Sequence, residues 1–205
     1  DVGFGPWVWG WQARELSGPY RTLVHATRGT DGSEASEPYA VGRFAADLEA
    51  VLADAGIRRV HLVGAGLGGM VALRYAREYG RARSLSLLGA AASGDRIDRS
   101  KLSALHPADP AALEGSLSAA FTERFLTETD LCGRITAWRR EEDATGEALS
   151  GHREAALGFE AGPLYELSLP ALVCHGVDDP VVPSAAGEEL ADGLPNGRFE
   201  AVEGK

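Results

Sequence analysis

The feature that most restricts this chain is a run of small residues, Gly64-Ala65-Gly66-Leu67-Gly68-Gly69, set between strand-like and helix-like segments. Ahead of it, Arg59–Val63 (RVHLV) reads as a buried strand. Behind it, Met70–Tyr79 is apolar nearly all round, which predicts a helix covered on most sides. Glycines allow the backbone to turn sharply and to approach its neighbours where side chains would clash. The next apolar stretch, Ser84–Leu88 (SLSLL), supplies a second strand, so the run sits inside a strand–helix–strand unit.

The same alternation extends along the chain. Val41, Phe44, Leu48, Val51 and Leu52 fall at helical spacing and end near Gly56. Tyr20–His25 (YRTLVH) predicts a short strand, followed by a loop through Ser33. Between about Gly94 and Glu160 strands vanish and helices take over. Asp109 before Pro110 predicts an N-cap, and further helices are expected over Asp130–Asp143 and Glu147–Leu157. From Pro170 the pattern resumes with strand Ala171–His175, turn Gly176–Pro180, helix Ser184–Leu190 and strand Arg198–Val202. The expected fold class is α/β, with a mostly parallel sheet and helices on both faces. The expected core is discontinuous, residues 1–93 and 161–205, with 94–160 as a helical cap insertion.

Composition narrows the partners. Twenty basic against thirty acidic residues give a net charge of −10, which repels phosphate backbones and argues against nucleic acid. No apolar run reaches membrane-spanning length and no leader opens the chain, so a cytoplasmic, membrane-free setting is expected. Cys132 and Cys174 are far apart with no CxxC, so neither a disulfide framework nor a metal site is indicated. The expected partner is a small-molecule substrate or ligand, with no cofactor.

The glycine run supports two chemistries. Gly64, Gly66 and Gly69 satisfy G-x-G-x-x-G, the turn that seats a pyrophosphate on a helix N-terminus in dinucleotide-binding oxidoreductases. The acid that should close the following strand is missing, since Ser84–Leu88 runs into Gly89-Ala90-Ala91-Ala92. The other chemistry is a nucleophile elbow, in which the turn lifts one side chain above the sheet. Four segments carry that reading, and in their order the chain resembles the α/β-hydrolase family. Val63-Gly64-Ala65-Gly66-Leu67-Gly68-Gly69 is similar to the family's V-G-x-S-x-G-G. Ala26-Thr27-Arg28-Gly29 with Ser33 is similar to its D-x-R-G…S loop, with Ala26 for the acid. Gly3-Phe4 resembles the end of H-G-F, with Val2 for His, and His175–Pro183 resembles the acid loop.

The resemblance implies hydrolysis of a small ester, lactone or related acyl substrate by a nucleophile, a histidine and an acid. It places the nucleophile at Gly66, which has no side chain to form an acyl intermediate, and the acid at Asp179. A turn acid or N-cap beside Pro180 is the plain alternative for Asp179, and Asp178 reads as its solvated neighbour. The oxyanion donors fall on the backbone of Phe4 and Leu67, for which core packing is the alternative. No histidine follows Asp179: His25, His61 and His175 are expected as packed strand residues, and His106 and His152 as solvated ones in the insertion. In the family the base follows V-x-G-x-G-H, and this chain ends Val202-Glu203-Gly204-Lys205, so the resemblance implies a histidine beyond Lys205 and strands ahead of Gly3. The alternating Trp7, Trp9 and Trp11 are expected to pack under the insertion or form an apolar lip, and Arg28 to brace its loop on carbonyls. The alternative function is a non-catalytic pseudo-hydrolase that binds a small molecule.

Overall fold

In a computed structural model describing residues 1–204, two helices precede the first strand: α1 (Gly10–Leu16) and α2 (Val41–Asp54). The strands are β1 (Val60–Ala65), β2 (Ala82–Leu88), β3 (Ala171–Gly176) and β4 (Gly197–Val202), in spatial order β1-β2-β3-β4 with every pair parallel. Parallel neighbours need long crossovers, and three segments supply them. The first is α3 (Leu67–Glu78), packed on β1 and β2. The second is the stretch with α4 (Arg99–Ala104), α5 (Glu123–Glu128), α6 (Cys132–Glu142) and α7 (Gly146–Leu157). The third is α8 (Ser184–Gly193), packed on β3 and β4.

Register decides where the loops emerge. Ala65 pairs with Leu88, Leu88 with Cys174, and Gly176 with Val202, so the carboxyl ends of neighbouring strands lie on one edge. That edge is where ligands bind in open α/β sheets. The main core is built from strand and helix faces that meet: Phe44 and Leu52 of α2, Met70 and Leu73 of α3, Leu85 and Leu87 of β2. A smaller core lies apart, where Trp7 packs with Leu117 and Ile135 against Phe4 and Trp138. Both cysteines are free thiols, and among the described residues no helix is long and apolar enough to cross a membrane.

Several elements depart from expectation. Tyr20–His25 forms no strand; it runs without ladder partners, with Tyr20, Leu23 and Val24 exposed. A β-propensity run becomes a strand only where a neighbour offers an edge. Asp109 does cap a helix, accepting from the Ala111 amide at 2.9 Å, but the helix is one 3-10 turn, Pro110–Ala112. His61 is exposed rather than packed, and bonds Ser84 Oγ at 2.7 Å. On β1, Leu62 and Gly64 are buried while His61 and Val63 are exposed, so helices cover only one of its faces. Residues 94–160 contribute helices and one isolated bridge, Ser93 to Glu160. Lys205 lies outside the described residues.

Candidate active site

The run Gly64–Gly69 folds as an abrupt strand-to-helix turn. Gly66 sits at φ 50° and ψ −116°, a conformation strained for any residue with a Cβ. Its amide donates to Leu88 O at 2.9 Å, and its carbonyl caps α3 by accepting from Gly69 and Met70 amides at 3.0 and 3.2 Å. Gly64 is required for a different reason: a Cβ there would collide with the Gly68 backbone, so strand and helix could not approach this closely. Above Gly66 lies the Asp1 carboxylate, which accepts from the Val2 amide at 2.7 Å and stands where a Cβ of residue 66 would point. The turn thus has the sharp, strained geometry of an elbow, with glycine at its apex.

A cavity of about 320 Å³ opens at this point. Its lining brings together Gly66, Leu67, Phe4 and Asp179, although they come from the elbow, the first loop and the loop after β3. The walls are largely apolar, with Val2, Met70, Ile97, Leu102, Leu105 and Val181. Leu67 is buried, as core packing requires, and lines the cavity from the first position of α3. Among the described residues the amides of Phe4 and Leu67 donate to no acceptor of the protein. The Leu67 N–H is one of the helix-start donors that have no intrahelical partner, and Phe4 is half-buried in the first loop.

Asp179 is both a turn acid and a cavity residue. Its Oδ1 accepts from Val181 and Val182 amides at 2.8 and 3.0 Å, which fixes the loop after β3. Its Oδ2 lies 3.3 Å from Nε2 of His175, which donates to Val182 O at 2.9 Å. Asp178 is exposed, as expected of a solvated neighbour. His175 is fully packed, and its Nδ1 has no partner but lies against Gly187 on α8, away from the elbow.

The insertion histidines are a correction. His106 and His152, expected in solvent, are buried at 8% and 1% exposure. His106 Nε2 donates to Val2 O at 2.9 Å while Nδ1 faces the Arg139 guanidinium at 3.4 Å. His152 Nε2 donates to Arg28 O at 2.8 Å, and its Nδ1 accepts from the Gly3 amide at 3.3 Å. Both rings are thus neutral, with the proton on Nε2. Burial and the Arg139 charge push His106 down to about 3, and burial lowers His152 as well. His25 is half-buried in the loop rather than in a strand. Among the described histidines only His175 lines the cavity.

Other candidates settle into structural roles. Arg28 braces its loop chiefly through a carboxylate: Nε and Nη2 donate to both oxygens of Asp47 on α2 at 2.8 Å, and Nη1 reaches Ser36 O. Trp7 is buried and stacks on Trp138 of α6 at 6.4 Å, and Trp11 meets the same ring edge-on at 5.8 Å. Sequence reasoning passed over Arg139, Glu142 and Asp143 entirely. They sit in the charged run Trp138-Arg139-Arg140-Glu141-Glu142-Asp143, and the burial of the Arg139 and Asp143 side chains shows only in the structure.

Comparison with known proteins bears on the fold and the family. The model of the family described as "Alpha/beta hydrolase family" matches residues 2–204. A curated relative from Stutzerimonas stutzeri, "Putative carbamate hydrolase RutD", is 31% identical over 203 residues, covering 92% of this chain and 75% of that protein. A non-heme haloperoxidase from Rhodococcus erythropolis is 29% identical over 195 residues, covering 84% and 69%. Among solved structures, the enol-lactonase from Burkholderia xenovorans LB400 superposes with a TM-score of 0.85 at 22% identity, covering 100% of this chain and 81% of that one.

Proposed function

The chain belongs to the alpha/beta hydrolase family, and within it we propose that its pocket binds small neutral acyl compounds without the covalent step. Esters, lactones and carbamates are the class meant. Their carbonyl oxygen would accept from the amides of Phe4 and Leu67, and their apolar part would lie on the cavity wall. The observation that carries this reading is the pair of unpaired amides beside Gly66 in one cavity with Asp179. The names of the relatives, with their carbamate and enol-lactone, point to the same class.

Charge narrows the ligand. Among the described residues Asp1 and Asp179 are the charged side chains on the lining, and no lysine or arginine joins them. An anionic ligand would be repelled at close range in a partly dry cavity, so neutral compounds are favoured. Gly66 argues for binding without turnover, because acyl transfer to the protein needs an oxygen or sulfur that glycine lacks. Residues 94–160 take the part of a cap, with Ile97, Leu102 and Leu105 closing one wall.

Two measurements test this. Titration of the chain with γ-butyrolactone, followed by backbone amide NMR, is expected to give saturable shifts at Phe4 and Leu67. Exposure to a fluorophosphonate is expected to leave the intact mass unchanged. Saturation with no response at either amide would sink the binding claim, and a stoichiometric phosphonyl adduct would sink the non-covalent one.

A further inference from the structure

The loop that carries Phe4 is fastened by residues more than a hundred positions away, all of them in the helical segment. The Gly3 amide donates to His152 Nδ1 at 3.3 Å, and its carbonyl accepts from the Ala144 amide at 2.7 Å. The Val2 carbonyl accepts from His106 Nε2 at 2.9 Å, and the Trp7 amide donates to Glu142 Oε2 at 2.7 Å. Asp143 makes the central attachment. Its Oδ1 accepts from the Gly5 amide at 3.1 Å and from the Trp7 indole N–H at 2.8 Å, while Oδ2 accepts from Arg139 Nε at 2.8 Å.

Arg139 extends that attachment onto Phe4 itself. It is 2% exposed, and its guanidinium lies 4.7 Å from the centroid of the Phe4 ring. The same group donates to Ser116 Oγ at 2.9 Å and Leu105 O at 2.6 Å, so its orientation is fixed from three sides. Gly5 comes so close to the end of α6 that a Cβ would meet the Glu142 carbonyl at 2.8 Å. The amides on either side of Phe4 are therefore bonded and its ring is pinned. Its own N–H stays free.

We propose that Asp143 is a positioning residue, which sets the direction of the Phe4 N–H through Gly5, Trp7 and the Arg139 pair. The claim rests on the carbonyl-binding reading above for its functional meaning. The two donors then have separate origins. The direction of the Leu67 amide is set by α3, a helix packed on the sheet, whereas that of Phe4 is set by a buried charge pair on the helical segment. Loss of Asp143 should uncouple the two, and a general loss of structure should not.

The experiment compares 15N relaxation at Phe4 and Leu67 in the wild-type chain and in Asp143→Ala, first free and then with γ-butyrolactone. In the variant, the Phe4 order parameter is expected to fall from about 0.85 to below about 0.6 while Leu67 keeps its value. The lactone-induced shift should disappear at Phe4 and persist at Leu67. A variant whose Phe4 keeps wild-type order and response overturns the proposal, as does one in which both amides lose order together. If neither wild-type amide answers the lactone, the carbonyl-binding reading fails alone, and the ligand-free order parameters still decide the positioning claim. Should Asp143→Ala fail to fold, Asp143→Asn replaces it. An amide has one acceptor oxygen where the carboxylate uses two, so either the Gly5 and Trp7 side or the Arg139 side loses its partner. Phe4 should loosen in either orientation, and unchanged Phe4 order in a folded Asp143→Asn overturns the proposal.

Discussion

At Gly66 the backbone conformation itself selects the residue. At φ 50° and ψ −116° a glycine rests at little cost, whereas a side chain there must be held against steric strain of about 1–3 kcal/mol. Gly66→Ser should therefore lower the urea midpoint by an amount corresponding to about 1–3 kcal/mol, with the Asp1 carboxylate displaced from above the turn. Equal midpoints would show that the surrounding bonds from Leu88, Gly69 and Met70 do not hold the strained geometry rigidly. The tight strand-to-helix turn was legible from the glycine spacing and the strand before it. That Asp179 shares a cavity with this turn was legible only through motif order, since an acid next to Pro180 also reads as a turn residue, and the structure gives it that bond pattern too.

At the scale of elements, burial separates helices that carry the fold from those that decorate it. α3 buries Leu67, Met70, Ala72, Leu73 and Tyr75, while α1 buries nothing. Leu73→Ala should then cost about 2–5 kcal/mol, and Leu16→Ala within about 0.5 kcal/mol, both read from chemical denaturation. Comparable losses would mean that α1 is packed in solution in a way these contacts do not describe. Helical spacing revealed α2 through its one apolar face, and the nearly all-round apolar run after the glycines revealed α3 as a covered helix. It misread Tyr20–His25, whose apolar content suits a strand but whose backbone finds no partner. It also passed over the Arg139–Asp143 pair, because a charge run on α6 carries no sign of burial in its sequence. His106 and His152 escaped for a related reason. A single polar residue joins a core only when acceptors such as Val2 O and Arg28 O are brought to it from distant loops.

The whole molecule should register those buried histidines as acid sensitivity. In the unfolded chain a histidine takes its proton near 6.5, while folded His106 resists it to about 3 and His152 is lowered in the same direction. A group with a depressed folded pKa contributes its full stability above the unfolded value and loses it as pH falls. For His106 that loss begins near pH 6.5 and reaches about 1.4 kcal/mol per pH unit, continuing toward pH 3. Asp143 acts in the opposite sense: burial raises it above its ordinary 3.8, so folding gains from acid as its carboxyl takes up a proton. That gain is confined to the pH range between 3.8 and its raised folded value, where it offsets part of the histidine loss. Measurement should stay between pH 7.5 and about 5.5, clear of the isoelectric point near 5.0, where a chain of net charge −10 loses its mutual repulsion. Urea midpoints are expected to fall from pH 7.5, where the buried α-amino group of Asp1 is already held below its ordinary 8.0, and more steeply below about 6.5, and His106→Gln should flatten the steeper descent. A midpoint constant down to pH 5.5 would mean that the two rings exchange protons freely with solvent, and with that the tautomers that tie the Phe4 loop to the helical segment would be wrong.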